Sequence, residues 1–377
     1  MSAGVLNQEQ VLKMIQEDPS QIKWAQSTVR TWDQIDASAI DLPLGKKYWK
    51  MDASLRARQD GHVSDLILKY GGRELTLTDD TVLDRGQTYL FELPWSLDLH
   101  EHICARATAK SSVGRLDALV RLVADKEKEF ETVRPGRECR IYLQVLPNTF
   151  PLIVRPGIAL SQLRFLRGQE HHCTVSREML TYEEDSPLVN KSGGREKGHS
   201  SVGDNESILL HLDLSDDDEL EFAGFVAKND PDFPPIDPSK KNEYDPHLYW
   251  DSVQKIEGES SVRIGKKRFY IFRSKERFRL PAHLAVDCRA MSESLGDIRI
   301  HYAGFAHPFF GRGRDPDNGA PLIFEVRCYE SNTILHDNTA LAKVFFRRMA
   351  APAKEPKEPG QYSQQELKLS KCFKPWT

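Results

Sequence analysis

The sequence predicts a mainly β protein, two β-barrel or sandwich modules in tandem with few short helices. Three observations lead there. From Thr88 onward, apolar runs recur every 8 to 15 residues (TYLFEL, HICARA, LVRLVA, ECRIYLQV, PLIV, SQLRFL), separated by Gly, Pro and charged turns. That spacing suits short antiparallel strands, not parallel strands with crossover helices. A second series of the same kind follows as VRIGKKRFYIF, LAVDCRA, IRIHYA, LIFEV and AKVFF. Finally, ALAKVFFRR (Ala340–Arg348) registers without a gap on ALSQLRFLR (Ala159–Arg167), 181 residues earlier.

Carrying that register back sets LIFEV (Leu322–Val326) on IYLQV (Ile141–Val145), apolar on apolar, with one polar exchange. Glu325 stands where the first copy has Gln144. A carboxylate can take a proton from water and an amide cannot, so only the second copy carries a general base at this position. The stretches Tyr89–Ala107 and Tyr270–Ala290 read as copies as well, with a two-residue difference in length.

The chain opens with Asn7 as N-cap before QEQVLKMI, where Val11, Leu12 and Ile15 fall at helical spacing. In QIDASAIDLPLG (Gln34–Gly45), Pro43 argues for an edge strand, since proline cannot donate to a ladder. These parts and the first strand series make a first module over residues 1–182. Residues 183–207, with almost nothing to bury, read as a linker. The second module spans 208–350; its SDDDELE (Ser215–Glu221) reads as a solvated acidic turn, and KNDPDFPPIDPSKKNEYDP as an insert. Residues 351–377 lack apolar runs and read as a flexible tail with an aromatic end that is able to close over a site.

Composition narrows the function classes. At 377 residues the chain has room for two cores, and no apolar run approaches the roughly 18 to 20 residues of a membrane span. A net charge of −4 gives no global attraction to nucleic acid, so any phosphate site must be local. Six cysteines without a CxxC signal neither a disulfide framework nor a zinc knuckle. The start MSAGVLNQEQ has no basic, apolar leader pattern, and a cytoplasmic protein without membrane or nucleic-acid partners is expected.

Two stretches offer chemistry. KSSVGR places Lys110, Ser111, Ser112 and Arg115 around a glycine directly after the strand ICARATA. Hydroxyl donors close in and cations at the rim are what triphosphate oxygens require, although the same turn also reads as a solvated loop. The corresponding RAMSESLGD has Glu293 and Asp297, which would repel phosphate. HYAGFAHPFFG (His301–Gly311) carries Phe305 and Phe309, which could stack on a planar base while the backbone reads its edge; an ordinary hairpin with core aromatics is the other reading. The first module has LVADKEKEFETVRPG there, charged and without the hairpin glycine. Each module thus keeps what the other lacks.

Together QIDASAIDLPLG, KSSVGR, AGF…HPFFG, LIFEV and VRPGIALSQLRF resemble the dCTP deaminases of the trimeric dUTPase-like superfamily, over most of both modules. The resemblance implies dUTPase-like β-clip modules, a nucleotide ligand (dCTP or dUTP), a homo-oligomer, and a composite site within a chain or between chains. It implies Glu325 as catalytic base, with Lys110, Ser111, Ser112, Arg115, Ala303, Gly304, Phe305 and His307 binding substrate. It also implies a chemical step without metal, magnesium entering only with the triphosphate. The H-x-E and P-C-x-x-C pattern of zinc deaminases is absent from the sequence.

Where the family's diphosphatases carry a hairpin aspartate this chain has His307, which argues against pyrophosphate cleavage. Phe305 stands where strict deaminases place arginine, and Lys110 where the family usually has arginine, keeping charge but losing bidentate geometry. The expected activity is hydrolysis of dCTP to dUTP and ammonia. A dUTP diphosphatase and a non-catalytic nucleotide-binding regulator are the alternatives, separated by ammonia release, pyrophosphate release, or binding alone. Tyr362, Gln364, Gln365, Lys368 and Lys371 loosely resemble the family's closing C-terminus.

Overall fold

In the computed structural model the described residues are 2–24, 35–181, 186–189, 206–215, 221–291, 298–300, 304–312, 318–329, 331–356, 362–363 and 365–377. Ala303, Glu293, Asp297, Gln364, residues 216–220 of the acidic turn and most of the linker lie outside them. The chain forms two compact units. The first comprises Met1–Cys173, Pro234–Ser239 and Arg348–Lys354; the second comprises Thr174–Phe233, Lys240–Arg347 and Glu355–Thr377. Two short stretches thus sit across the linear boundaries expected above.

In the first unit, the strands Thr88–Asp98 and Glu138–Pro147 lie in the middle of a six-stranded sheet, with Ala118–Ala124 at one edge beside Glu138–Pro147. Ala159–Arg167 and Ile103–Ala109 lie at the centre of a five-stranded sheet. Antiparallel neighbours alternate inward and outward: Ile103, Ala105, Ala107 and Ala109 point in, Cys104, Arg106 and Thr108 outward. Among the described strands Ile40–Pro43 pairs with Ala159–Arg167 alone, apart from an isolated bridge from Ile40 to Ile35, so Pro43 does sit at an edge. The opening helix Gln8–Glu17 is closed by a reciprocal box: the Gln10 amide donates to the Asn7 side chain and the Asn7 amide to that of Gln10. The helix Val63–Tyr70 was not anticipated, although Val63 and Ile67 sit one turn apart on its buried face.

The second unit repeats these pairings. Gln144 lies opposite Leu90 and Glu325 opposite Ile271; Val145 lies opposite Tyr89 and Val326 opposite Tyr270. Each member of the second pair follows its counterpart by 181 residues. Ala159–Arg167 and Ala340–Arg348 bury the same positions, and both edge pairings slip at the same place, between Ala159 and Ser161 and at Ala340 and Ala342. The Tyr89 hydroxyl accepts from the Asp84 amide at 2.9 Å, and that of Tyr270 from Gly265 at 2.7 Å. Ile103–Ala109 and Leu284–Ala290 also stand 181 residues apart, so the expected two-residue length difference is not present. The alternation of an antiparallel strand fixes which residues face the core, and a one-residue slip would invert every side chain.

The core of the second unit takes Leu210, Phe272, Phe324, Val326, Val344 and Phe346 from both of its larger sheets. Because Phe324 and Val326 point into it, Glu325 faces the other side of the sheet. Ile271 and Phe225 share that side by direct pairing.

The tail is not flexible in its described part. The Asn242 amide donates to the Lys371 carbonyl, the Glu243 and Tyr244 amides donate to that of Cys372, and Phe373 is buried against Tyr249 and Trp250. Trp376 meets Phe225 with ring centroids 5.0 Å apart. A segment poor in apolar runs is held by a few large aromatics at its end.

The first unit has the same hairpin turn, although the sequence comparison found no hairpin glycine there. Thr132 and Val133 pair with Arg106 and Ala105 as Phe305 and Ala306 pair with Asp287 and Val286. The amide of Ala107 donates to the Glu131 carbonyl, as that of Cys288 does to Gly304. Gly136 (φ 70°) occupies the left-handed turn position that Phe309 (φ 69°) holds in the second unit. The difference lies in what fills the space beside it. Phe130 packs with Leu66 against Trp49, Ile67, Leu90 and Tyr142, under the Arg121 guanidinium at 4.7 Å from its ring.

Two tests follow from this packing. Gly311 has φ 80°, and a methyl group there would lie 1.6 Å from the Phe278 carbonyl oxygen. Gly311→Ala is therefore expected to cost about 3 kcal/mol or more, read as a lowered denaturant midpoint. Burial raises the Glu131 carboxyl to about 7, against the pull of the Leu122 amide and of Arg121, Arg164 and Arg106. An acid raised on folding holds its proton more tightly in the native state, so stability falls as pH rises from about 4.5 to 7. Glu131→Gln should flatten that fall and raise the melting temperature at pH 8; an unchanged pH profile would contradict the assignment.

Candidate active site

Glu325 sits in the middle of Ala320–Cys328, a strand flanked on both sides by hydrogen-bonded neighbours, and is only 3% exposed. Its counterpart Gln144 is equally buried but is committed to structure. Its amide group donates to Ser54 Oγ at 2.8 Å and its oxygen accepts from the Leu55 backbone at 2.9 Å. The amide thereby staples residues 54–55 over the sheet face that Leu55, Val63 and Ile67 then seal. Glutamine can donate and accept at once, whereas an ionised glutamate only accepts, so a glutamate at this position cannot make the same two-way staple.

The residues beside Glu325 leave little room. A Cβ on Gly304 would meet the Cys288 carbonyl oxygen at 2.6 Å and its Cβ at 2.7 Å. Any side chain there would push the hairpin off the strand Leu284–Ala290. The Cys288 thiol is raised to about 12, first by burial and then by the charges of Glu325 and Asp287. That thiol is a neutral wall near the carboxylate, not a nucleophile. Phe305 is buried, with its ring perpendicular to that of His307 at 4.9 Å, while Ala306 is buried beside it. The tail reaches the same hairpin: the Gly311 amide donates to the Ser363 carbonyl at 3.0 Å, and Gln365 Nε2 to that of Pro321 at 2.9 Å. Glu366 accepts from Arg277 Nη1 at 3.0 Å and lies 3.7 Å from Arg273.

In the first unit, Ser111–Gly114 form a single helical turn after Lys110. The Lys110 amide donates to the Leu160 carbonyl, and the amides of Gly114 and Arg115 close the turn on Lys110 and Ser111. Lys110 Nζ lies 2.5 Å from Asp41 Oδ2. Ser112 is buried and Arg115 is only 2% exposed, so the arginine is set inside and not at the rim where the sequence placed it. Asp117, at φ 56°, accepts from Thr149 Oγ1 at 2.5 Å and steadies the chain beyond the turn. The turn is a stiff cationic element whose outer charge is already shared with a carboxylate.

Lys110, Ser111, Ser112 and Arg115 thus lie together in the first unit, and Gly304, Phe305, His307 and Glu325 lie in the second, with Ala303 outside the described residues. Sequence reasoning passed over Asp41, although it lies within QIDASAIDLPLG, and over Cys288 and Glu366, whose neighbours are distant in the chain.

No curated protein matches the chain by sequence. Among solved structures, the 2'-deoxycytidine 5'-triphosphate deaminase from Agrobacterium tumefaciens is similar with a TM-score of 0.80 and 27% identity, over 93% of this chain and 100% of that one. An anti-sigma factor domain-containing protein aligns at 12% identity over 88% of this chain and 100% of that one, with a TM-score of 0.15, too low to bear on the fold. The N-terminal domain of the 2'-deoxycytidine 5'-triphosphate deaminase family matches residues 2–169 and its C-terminal domain residues 175–373. With both family domains matched over nearly its whole length, the chain belongs to the 2'-deoxycytidine 5'-triphosphate deaminase family.

Proposed function

We propose that this chain hydrolyses dCTP to dUTP and ammonia with Glu325 as the general base. The observation behind the assignment is the exchange at one sheet position: a buried carboxylate at 325 where the matched strand of the first unit has the stapled amide of Gln144. Glu325 takes a proton from water as the water oxygen bonds to C4 of the cytosine ring. Glu325 delivers that proton to N3, giving a tetrahedral centre that bears a hydroxyl and an amino group at C4. Glu325 then takes the proton of the C4 hydroxyl and passes it to the amino group; the C4–N bond breaks as the C4 carbonyl forms, and ammonia leaves. Water, proton and leaving group all balance without an oxidant or reductant.

Lys110, Ser111, Ser112 and Arg115 are assigned to the triphosphate, with hydroxyl and guanidinium donors matched to phosphoryl oxygens. The backbone at Ala303 and Gly304 and the side chains of Phe305 and His307 are assigned to the base and sugar. The substrate is taken as its magnesium complex, the cation belonging to the nucleotide. Zinc plays no part in this proposal, on the ground that the sequence lacks the ligand pattern of the zinc deaminases. The family match favours the deaminase over a dUTP diphosphatase or a silent binding module. No helix among the described residues is long and apolar enough to cross a membrane. Cytoplasmic location and self-association form part of the proposal, resting on the substrate class and on the family resemblance.

Glu325→Gln is expected to lower kcat for ammonia release by roughly 10²- to 10⁴-fold, the range of a lost general base, while dCTP binding by calorimetry persists. Unchanged turnover would refute the role. Arg115→Lys keeps the charge and loses the fork, and should raise KM for dCTP roughly tenfold, with the melting temperature measured alongside because the side chain is buried. An unaltered KM would remove Arg115 from the phosphate site.

A further inference from the structure

On the strand that leads into the Lys110 turn, the first unit gathers a second set of cations. Arg106 faces outward from Ile103–Ala109 and lies directly across the ladder from Arg164 of Ala159–Arg167. Like charges in that relation destabilise an antiparallel pair, and Arg164 is only 3% exposed, where salt and water screen it little. Both are held in place. Arg106 Nη1 donates to Thr132 Oγ1 and its Nη2 to Glu170 Oε2, each at 2.5 Å, and Arg164 Nη1 donates to Thr108 Oγ1 at 2.9 Å. Arg121, whose guanidinium covers the Phe130 ring, joins them, and the charges of all three act on the Glu131 carboxyl. One oxygen of that carboxyl, Oε2, accepts from the Leu122 amide at 3.3 Å; the other, Oε1, is buried and meets no donor among the described residues. The second unit has Asp287 in place of Arg106 and Phe345 in place of Arg164, each 181 residues on, so it does not repeat the cluster.

We propose that Arg106, Arg121 and Arg164, with Glu131, form a binding site for inorganic phosphate in its monohydrogen form. Guanidinium groups donate only, and their forks match the oxygens of a tetrahedral anion. An ionised carboxylate accepts only, so the open Oε1 of Glu131 selects an anion that carries a proton of its own. Monohydrogen phosphate offers three accepting oxygens and one O–H. Sulfate has the same shape and charge without the proton, and a phosphate monoester has lost its last proton by pH 8. The bound ion offsets the repulsion between the two opposed arginines. The site stands apart from the deaminase reading, since none of its four residues is assigned to dCTP.

The test is calorimetry on the full chain at pH 8, where Glu131, raised to about 7 by burial, is ionised. Inorganic phosphate, sulfate and dCMP are titrated in turn. Phosphate should bind roughly 10- to 100-fold more tightly than sulfate or dCMP, the range of one hydrogen bond to a charged group. Arg106→Gln should weaken phosphate binding about tenfold or more, and Arg121→Gln takes its place if that variant does not fold. Glu131→Gln, whose amide can donate, should bring sulfate within about twofold of phosphate. Arg115→Lys should leave phosphate affinity within about twofold of the parent, which separates this site from the Lys110–Arg115 turn. Equal binding of phosphate and sulfate by the parent overturns the proposal, as does an absence of phosphate binding. So does dCMP binding as tight as that of phosphate, or a phosphate affinity that follows Arg115 and not Arg106.

Discussion

Holding a carboxyl group out of water in the middle of a β-sheet is the costly feature of this chain, and its surroundings are arranged to permit it. Glu325 lies on the sheet face turned away from the main core, in register with Ile271 and Phe225, where an ordinary exposed strand would carry a solvated side chain. Desolvation penalises a charge far more than a neutral group, so a buried glutamate at such a place destabilises the fold unless function retains it. The docked tail makes that burial understandable. Trp376 against Phe225, and Phe373 against Trp250, place large apolar rings over a face that would otherwise be wet.

The two units show what the same scaffold does with and without that constraint. Strand register, edge slip, tyrosine-braced turn and hairpin turn correspond position by position. In the first unit the outer face is closed by the helix Val63–Tyr70, by residues 54–55 held on Gln144, and by Phe130. An apolar lid needs a neutral donor–acceptor beneath it, which the amide supplies. Where Gly304 allows the second hairpin to lie on Cys288, the first unit has Glu131, whose carboxyl is raised to about 7 by burial amid three arginines. The first unit thus fills this face by packing and carries the cationic turn around Ser111–Gly114.

That turn shows how a fold can pre-set a charge. The Lys110 and Arg115 amides are bonded to carbonyls, and the Lys110 ammonium is held by Asp41. In the triphosphate role proposed for this turn, a cation positioned beforehand loses less conformational freedom on binding, and a phosphate competes with the Asp41 carboxylate for it. Glu366 of the tail plays a comparable part against Arg273 and Arg277 in the second unit, fixing the segment that passes the hairpin.

Much of this was legible from the residues alone. The two strand series, their register, the Asn7 cap, the edge position of Pro43 and the Glu325 for Gln144 exchange are local or periodic signals, and periodicity survives in a linear string because each strand face repeats every second residue. What escaped the sequence depends on contacts between distant residues. That Arg115 is buried, that Lys110 is paired with Asp41, that the tail is anchored by Phe373 and Trp376, and that Gly136 and Phe309 share one left-handed turn were decided only when the chain closed. Burial, pairing and turn handedness are properties of a neighbourhood, and tertiary structure alone assembles the neighbourhood.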